Sequence, residues 1–287
     1  MNPYRIDQRK ANVIRVYFDE ICAGWTQWIL LRSDAHHDNV NCDRKLERVH
    51  LELAKERSAL IFDFGDTFCA MQGKYDPRKS MEELRPEDKV VNYLDAIVNH
   101  AADDYKPYAP LWTMLGMGNH EGSILDRHNT NLISRLADKM HSNGSQVVEG
   151  GIGGWVQFFF KWNKTKSTHR NLKYHHGWQA TDSPVTKGVI QTSRQGVYLP
   201  DADIVVNGHN HNAYLIPQER ERINLDGTTK LDTVWFIRTP GYKDEYGDGT
   251  SGWANTKQKE PKPRGCVWLQ FCCDGYGIDT KTYLDIK

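Results

Sequence analysis

The chain has 287 residues, enough for one large core or a core domain with a small cap. With 39% apolar and 11% aromatic residues it is not a disordered chain, and its 37 basic and 37 acidic residues cancel. A broad electrostatic grip on nucleic acid is therefore not indicated, and no run approaches the roughly 20 apolar residues of a membrane span. The opening MNPYRIDQRKANVIRVYF breaks its apolar positions with charges and has no secretory pattern, so a cytoplasmic location is expected. None of the six cysteines forms a C-x-x-C pair, so they read as buried thiols and not as a zinc or redox motif.

In chain order, residues 11–23 carry Ile14, Phe18 and Ile21 at helical spacing, and 1–24 reads as an N-terminal helical extension. QWILLRS is a strand ending at Asp34, and 43–57 a helix with Leu46, Val49 and Leu53 on one face. ALIFDF (59–64) is a buried strand, Ser80 with Glu83 resembles a capping box before a helix ending near Ala102, and LWTMLG (111–116) is a third strand. Residues 124–140 look helical. Beyond about 145 the chain is strand-rich: WVQFFFKW, LKYHH, DIVVNG, VWFIR and CVWLQFCC. Residues 241–264, rich in Gly, Lys and Pro, predict a long surface loop. The fold class expected is α/β, with two packed mixed β-sheets (a β-sandwich) flanked by α-helices, in a single domain over 1–287.

Polar residues gather where these strands end, the position at which open α/β sheets collect ligands. Strand one leads to Ser33-Asp34-Ala35-His36, strand two to Gly65-Asp66 and strand three to Gly118-Asn119-His120-Glu121. LKY leads to His175-His176-Gly177 and IVVN to Gly208-His209-Asn210-His211. Asp, Asn and imidazole all suit Mn²⁺, Fe or Zn²⁺. In Asp34-x-His36 and His209-x-His211, alternate residues at a strand end point the same way, so each pair can serve one pocket.

These five segments, in this order over residues 34–211, resemble the calcineurin-like metallophosphoesterase superfamily. Arg238-Thr-Pro-Gly-Tyr242 is similar to its phage and bacterial members, which would place the protein in a host cytoplasm. The resemblance implies two divalent metal ions, Mn²⁺ first, with Fe, Zn²⁺ or Ni²⁺ as alternatives. One would be held by Asp34, His36, Asp66 and His211, the other by Asp66, Asn119, His209 and a middle histidine, either His176 or His175. The implied activity is phosphate-ester hydrolysis by a metal-bridging hydroxide, with His120 donating to the leaving oxygen and Asp34 orienting it. A phosphodiesterase acting on nucleotide or nucleic acid is favoured. A phosphomonoesterase or protein phosphatase, and a metal-bound module without chemistry, are the alternatives.

The family often writes G-D-x-x-D, but here Cys69 takes the last place. His37 and Asp38 enlarge the first motif, and Asp63 reads as a strand-end charge paired locally. Arg238, Arg194 and Lys187 are candidate phosphate contacts, and Arg127 and His128 follow the third motif closely enough to reach substrate. WVQFFFKW reads as sheet packing, with base stacking as its second reading. GGIGGW precedes a strand and does not link a strand to a helix, which argues against a dinucleotide fingerprint.

Overall fold

The computed structural model describes residues 4–70, 83–177, 185–247 and 252–287. The chain opens with a hairpin, β1 (Arg5–Lys10) and β2 (Val13–Phe18), followed by β3 (Thr26–Arg32), α1 (Arg44–Glu56) and β4 (Leu60–Asp63). Then come α2 (Tyr93–Tyr105), β5 (Trp112–Gly116), α3 (Asn119–His128), α4 (Leu132–Ser142) and β6 (Val148–Gly151). β7 (Gly153–Lys161), β8 (Ser167–His175), α5 (Val189–Tyr198), β9 (Ile204–Asn207), β10 (Tyr214–Ile223) and β11 (Thr229–Arg238) follow. The chain closes with α6 (Trp253–Thr256), β12 (Gly265–Cys273) and β13 (Ile278–Ile286).

Two mixed sheets result, one ordered β1-β2-β7-β8-β9-β11-β10 and the other β13-β12-β3-β4-β5-β6. Alternation in β2 and β7 turns Ile14, Val16, Phe18, Val156, Phe158 and Phe160 inward, where they meet Ile29, Leu31, Leu60 and Phe62 of the facing sheet. α1, α2 and α4 cover the other face of the six-stranded sheet, burying Leu51, Ile97, Val98, Leu136 and Met140. α5 lies over β11, with Val205, Val234 and Phe236 beneath. This is the expected α/β architecture. β3, β4 and β5 run parallel, so the loops leaving them lie side by side; β8, β9 and β11 do the same in the second sheet.

The expected helix over 11–23 is instead strand β2 paired with β1. Ile14, Val16 and Phe18 alternate as well as Ile14, Phe18 and Ile21 repeat, and β-branched Val13, Ile14 and Val16 favour the extended form. The helix expected after Ser80 begins at Tyr93; Ser80 itself lies outside the described residues. The surface loop expected at 241–264 is likewise corrected at both ends. Gly241 bridges to Arg264, Lys243 bridges to Cys42, and Tyr242 is fully buried. Among the described residues no helix is long and apolar enough to cross a membrane.

Candidate metal centre

The five polar segments converge. Asp34, His36 and His211 bring ligand-type atoms within 4.8 Å of one another, and Asp66, His176 and His209 do the same. Two ligands of one ion at about 2.1 Å stand at most about 4.2 Å apart, so side-chain movement of under about an ångström would close either set. The rings of His36 and His211 are 5.4 Å apart, and those of His176 and His209 5.3 Å.

The backbone here is unusual. Asp34, His36, Asp66, His209 and His211 all have positive φ, between 47° and 75°. Non-glycine residues adopt this left-handed conformation seldom, Asp, Asn and His most readily, and it tends to cluster at functional sites. Gly118 is required for a different reason: a Cβ there would collide with the Asp66 carboxylate.

Each carboxylate is held by its surroundings. Asp34 accepts from the Ser33 hydroxyl, and its Oδ2 accepts the His209 N–H at 2.9 Å. Asp66 Oδ1 accepts the His120 N–H at 2.9 Å, while its Oδ2 stands 3.2 Å from His176 Nε2. Glu121 secures the loops around Asp66 by accepting the N–H groups of Asp66, Phe68 and Gly118 at 2.8–3.1 Å. Asp38 does the same for the N–H groups of Cys69 and Ala70 and receives the Tyr93 hydroxyl. Burial, reinforced by the Asp66 charge, lifts Glu121 to about 8.

The two adjacent histidines separate cleanly. His176 is fully buried; its Nδ1–H donates to the Phe64 carbonyl at 3.0 Å. Its Nε2 therefore faces Asn119 Oδ1 at 3.1 Å and Asp66 Oδ2 at 3.2 Å. His175 is half-buried and turns away, its Nδ1 accepting the Gly177 N–H. His175 is thus not among the converging groups, because successive residues of a strand face opposite sides.

Protonation follows the ion-free electrostatics. Burial depresses His36 and His209, leaving neutral imidazoles suited to ligation. Burial also opposes charge on His176 and His211, but is outweighed: Asp66 lifts His176 to about 10, and Glu245 with Asp34 lifts His211 to about 9. Burial opposes ionisation of Asp34 and Asp66 as well, yet both are held low, Asp34 by His211 and Asp66 by His176.

His120 sits at the mouth. Its side chain is 14% exposed against 2% for Asp66, and its Nδ1–H donates to the Cys69 carbonyl at 2.6 Å. That carbonyl orients the ring in place of the expected Asp34, whose oxygens are taken up by Ser33, His209 and His211. Cys69 fills the place of the usual acid by contributing its backbone, while burial pushes its thiol well up.

The phosphate-contact expectations fare differently. Arg238 is fully buried and donates to the Gly208 carbonyl at 2.6 Å and to Thr192 Oγ1 at 2.9 Å. It braces the His209 loop from within and is withdrawn from substrate. Lys187 pairs with Glu260 at 3.1 Å on the surface, and Arg194 is exposed on α5; neither joins the cluster. Asp63 pairs locally as expected, with Arg32 Nε at 2.9 Å, and His37 meets Glu47 at 2.8 Å. Sequence reading missed Lys243 and Glu245, because 241–264 looked like surface. Lys243 is buried, 3.0 Å from Glu83, and Glu245 is 3.5 Å from His211 Nδ1. Pro240-Gly241 directly after a strand was the available signal, since strand-end loops supply the other site residues.

No protein-family model and no curated protein matches the sequence. Solved structures do align. A metallophosphoesterase from Sphaerobacter thermophilus is 11% identical with TM-score 0.38, over 91% of this chain and 90% of its own. A conserved uncharacterized protein, a predicted phosphoesterase, from Streptococcus pneumoniae TIGR4 is 12% identical with TM-score 0.31, over 91% of each chain. Zinc-complexed Vps29 from Entamoeba histolytica is 10% identical with TM-score 0.37, over 90% of this chain and 99% of its own.

Proposed function

We propose that this chain is a metal-dependent phosphoesterase holding two divalent cations, and within that class a phosphodiesterase acting on nucleotide or nucleic acid. One observation carries the reading: two largely buried sets of ligand-type atoms, Asp34 with His36 and His211 and Asp66 with His176 and His209, each lie within 4.8 Å of one another, and Asn119 Oδ1 stands 3.1 Å from His176 Nε2. Such groups repel unless a proton or a cation lies among them. His36 Nδ1 adds a buried polar atom without a hydrogen-bond partner, and Asp34 Oδ1 has only His211 Nε2 beside it, at 3.4 Å. The residues present therefore fit the ions: Asp34, His36 and His211 would hold one, Asn119, His176 and His209 the other, and Asp66 would serve both.

Bound there, the ions would supply Lewis acidity, activating water and neutralising phosphate oxygens. Two divalent ions bring about +4 and the two aspartates remove about two charges, leaving a centre attractive to a phosphate ester. The chain itself supplies the proton. With Nδ1–H committed to the Cys69 carbonyl, His120 can donate from Nε2 only as an imidazolium. Its place at the mouth lets Nε2 meet the leaving oxygen, and Asp66 Oδ2 stands 3.8 Å away. Asp38 and Glu121 hold the two loops that carry this machinery.

The test is turnover of bis-p-nitrophenyl phosphate and p-nitrophenyl phosphate with added Mn²⁺. A higher rate on the diester supports the full reading, and a higher rate on the monoester leaves only the metallohydrolase. No turnover of either, or of a nucleotide panel, by metal-loaded protein would make the chain a binding module.

A further inference from the structure

The seven-stranded sheet has a second face that the catalytic reading does not use. Along β2 and β7 every alternate residue turns outward and stays partly exposed. Register aligns these residues into cross-strand rows: Arg5, Tyr17, Phe159 and His169 form one, and Trp155 with Lys173 another nearer the metal centre. Tyr17 and Phe159 stack at 5.1 Å with planes 17° apart, and His169 continues the row at 5.8 Å. Cations lie among the rings: Arg5 is 3.9 Å from the Tyr17 centroid, Arg15 5.2 Å from Phe159 and Lys173 5.4 Å from Trp155. The row between holds one carboxylate, Asp7, which Arg9 neutralises at 2.7 Å.

We propose that this face binds single-stranded nucleic acid, bases packing on the outward ring edges of the Tyr17–Phe159–His169 row and phosphates meeting Arg5, Arg15 and Lys173. Cross-strand aromatic pairs also steady a sheet, but that role needs no interleaved cations. Aromatic platforms bordered by positive charge are how sequence-tolerant single-strand binding is built. A duplex hides its base faces, so the rings favour unpaired strands. β8 runs from His169 to His175 across six residues, about 20 Å at strand rise, and the next residue is His176 of the metal centre. A strand lying along β8 would be led toward that centre; this link, though not the binding, rests on the phosphodiesterase reading.

The experiment is fluorescence anisotropy with a labelled oligodeoxythymidylate of about 15 nucleotides, in EDTA so that hydrolysis is excluded. The full chain should bind it more tightly than a duplex of equal length. Phe159→Ala should weaken binding about tenfold or more, and Phe159→Trp should retain it. Arg15→Glu with Lys173→Glu should weaken it and flatten its salt dependence. No binding at low salt, equal or tighter binding of duplex, or wild-type affinity in both Phe159→Ala and the charge-reversed variant would overturn the proposal. Because hydrolysis is scored separately with Mn²⁺, loss of either reading leaves the other standing.

Discussion

His175 and His176 are neighbours with opposite fates, and they offer the sharpest contrast in the molecule. His176→Ala should lose one of two bound ions by elemental analysis, whereas His175→Ala should keep both. Equal metal content in the two variants would remove His176 from the site. His120→Ala should keep both ions yet slow turnover by about 10²–10⁴-fold, the usual worth of a positioned proton donor. A second consequence concerns protons. His176 and His211, held up at about 10 and about 9, are charged near neutral pH in ion-free protein, and a ligand imidazole must be neutral. Ion binding at pH 7 should therefore release about two protons, and affinity should rise with pH until about 9–10. Calorimetry in buffers of different ionisation enthalpy reads this directly, and a binding heat independent of buffer would contradict it. The site residues were legible because five short motifs sit at strand ends. What escaped was whatever depends on side-chain direction: that Arg238 turns inward, that Cys69 contributes its carbonyl, and that Lys243 and Glu245 approach at all.

At the scale of the elements, Arg32 at the end of β3 ties neighbouring pieces together. It is fully buried, bonded to Asp63 of β4 and 3.0 Å from Glu47 of α1, while Tyr105 of α2 donates to Glu47. Removing Arg32 strands two buried carboxylates, so Arg32→Ala should cost about 3–5 kcal/mol in urea unfolding. Burial opposes the charge on Glu47, but His37 and Arg32 outweigh it and hold this carboxyl well below the usual range. A depressed carboxyl stabilises the fold above its unfolded pKa of about 4.3 and loses that contribution as pH falls. The stability difference between the natural protein and Glu47→Gln should therefore be largest near pH 6 and shrink toward pH 3. A constant difference would contradict the charge argument. The strands β3, β4, β5, β7, β8, β9, β11 and β12 were readable from apolar runs and their punctuation. The β1–β2 hairpin was not, since a short amphipathic stretch with both a three-to-four and a two-residue repeat is settled by its pairing partner. β10 hid because its exposed arm alternates charge with charge, QERER, leaving no apolar signal.

For the molecule as a whole, the candidate metal centre joins both sheets: Asp34, Asp66 and Asn119 follow strands of one, His176, His209 and His211 strands of the other. Ions bound there would tie the two together, and a ligand that binds only the folded state stabilises it by mass action. Chelation should lower the thermal midpoint, by about 2.7 kcal/mol of stability for each ion present at a hundred times its dissociation constant, and Mn²⁺ should restore it. An unchanged midpoint in protein shown to lose its ions would contradict this coupling. The left-handed backbone at Asp34, His36, Asp66, His209 and His211 reaches further than chemistry. A position that would both bind a cation and hold that conformation has a short alphabet of substitutes: aspartate, asparagine, histidine, or glycine where ligation is surrendered. A randomised library at these five places, sorted for folded protein alone, should be enriched in those four letters, and valine and isoleucine should vanish from it before activity is ever measured.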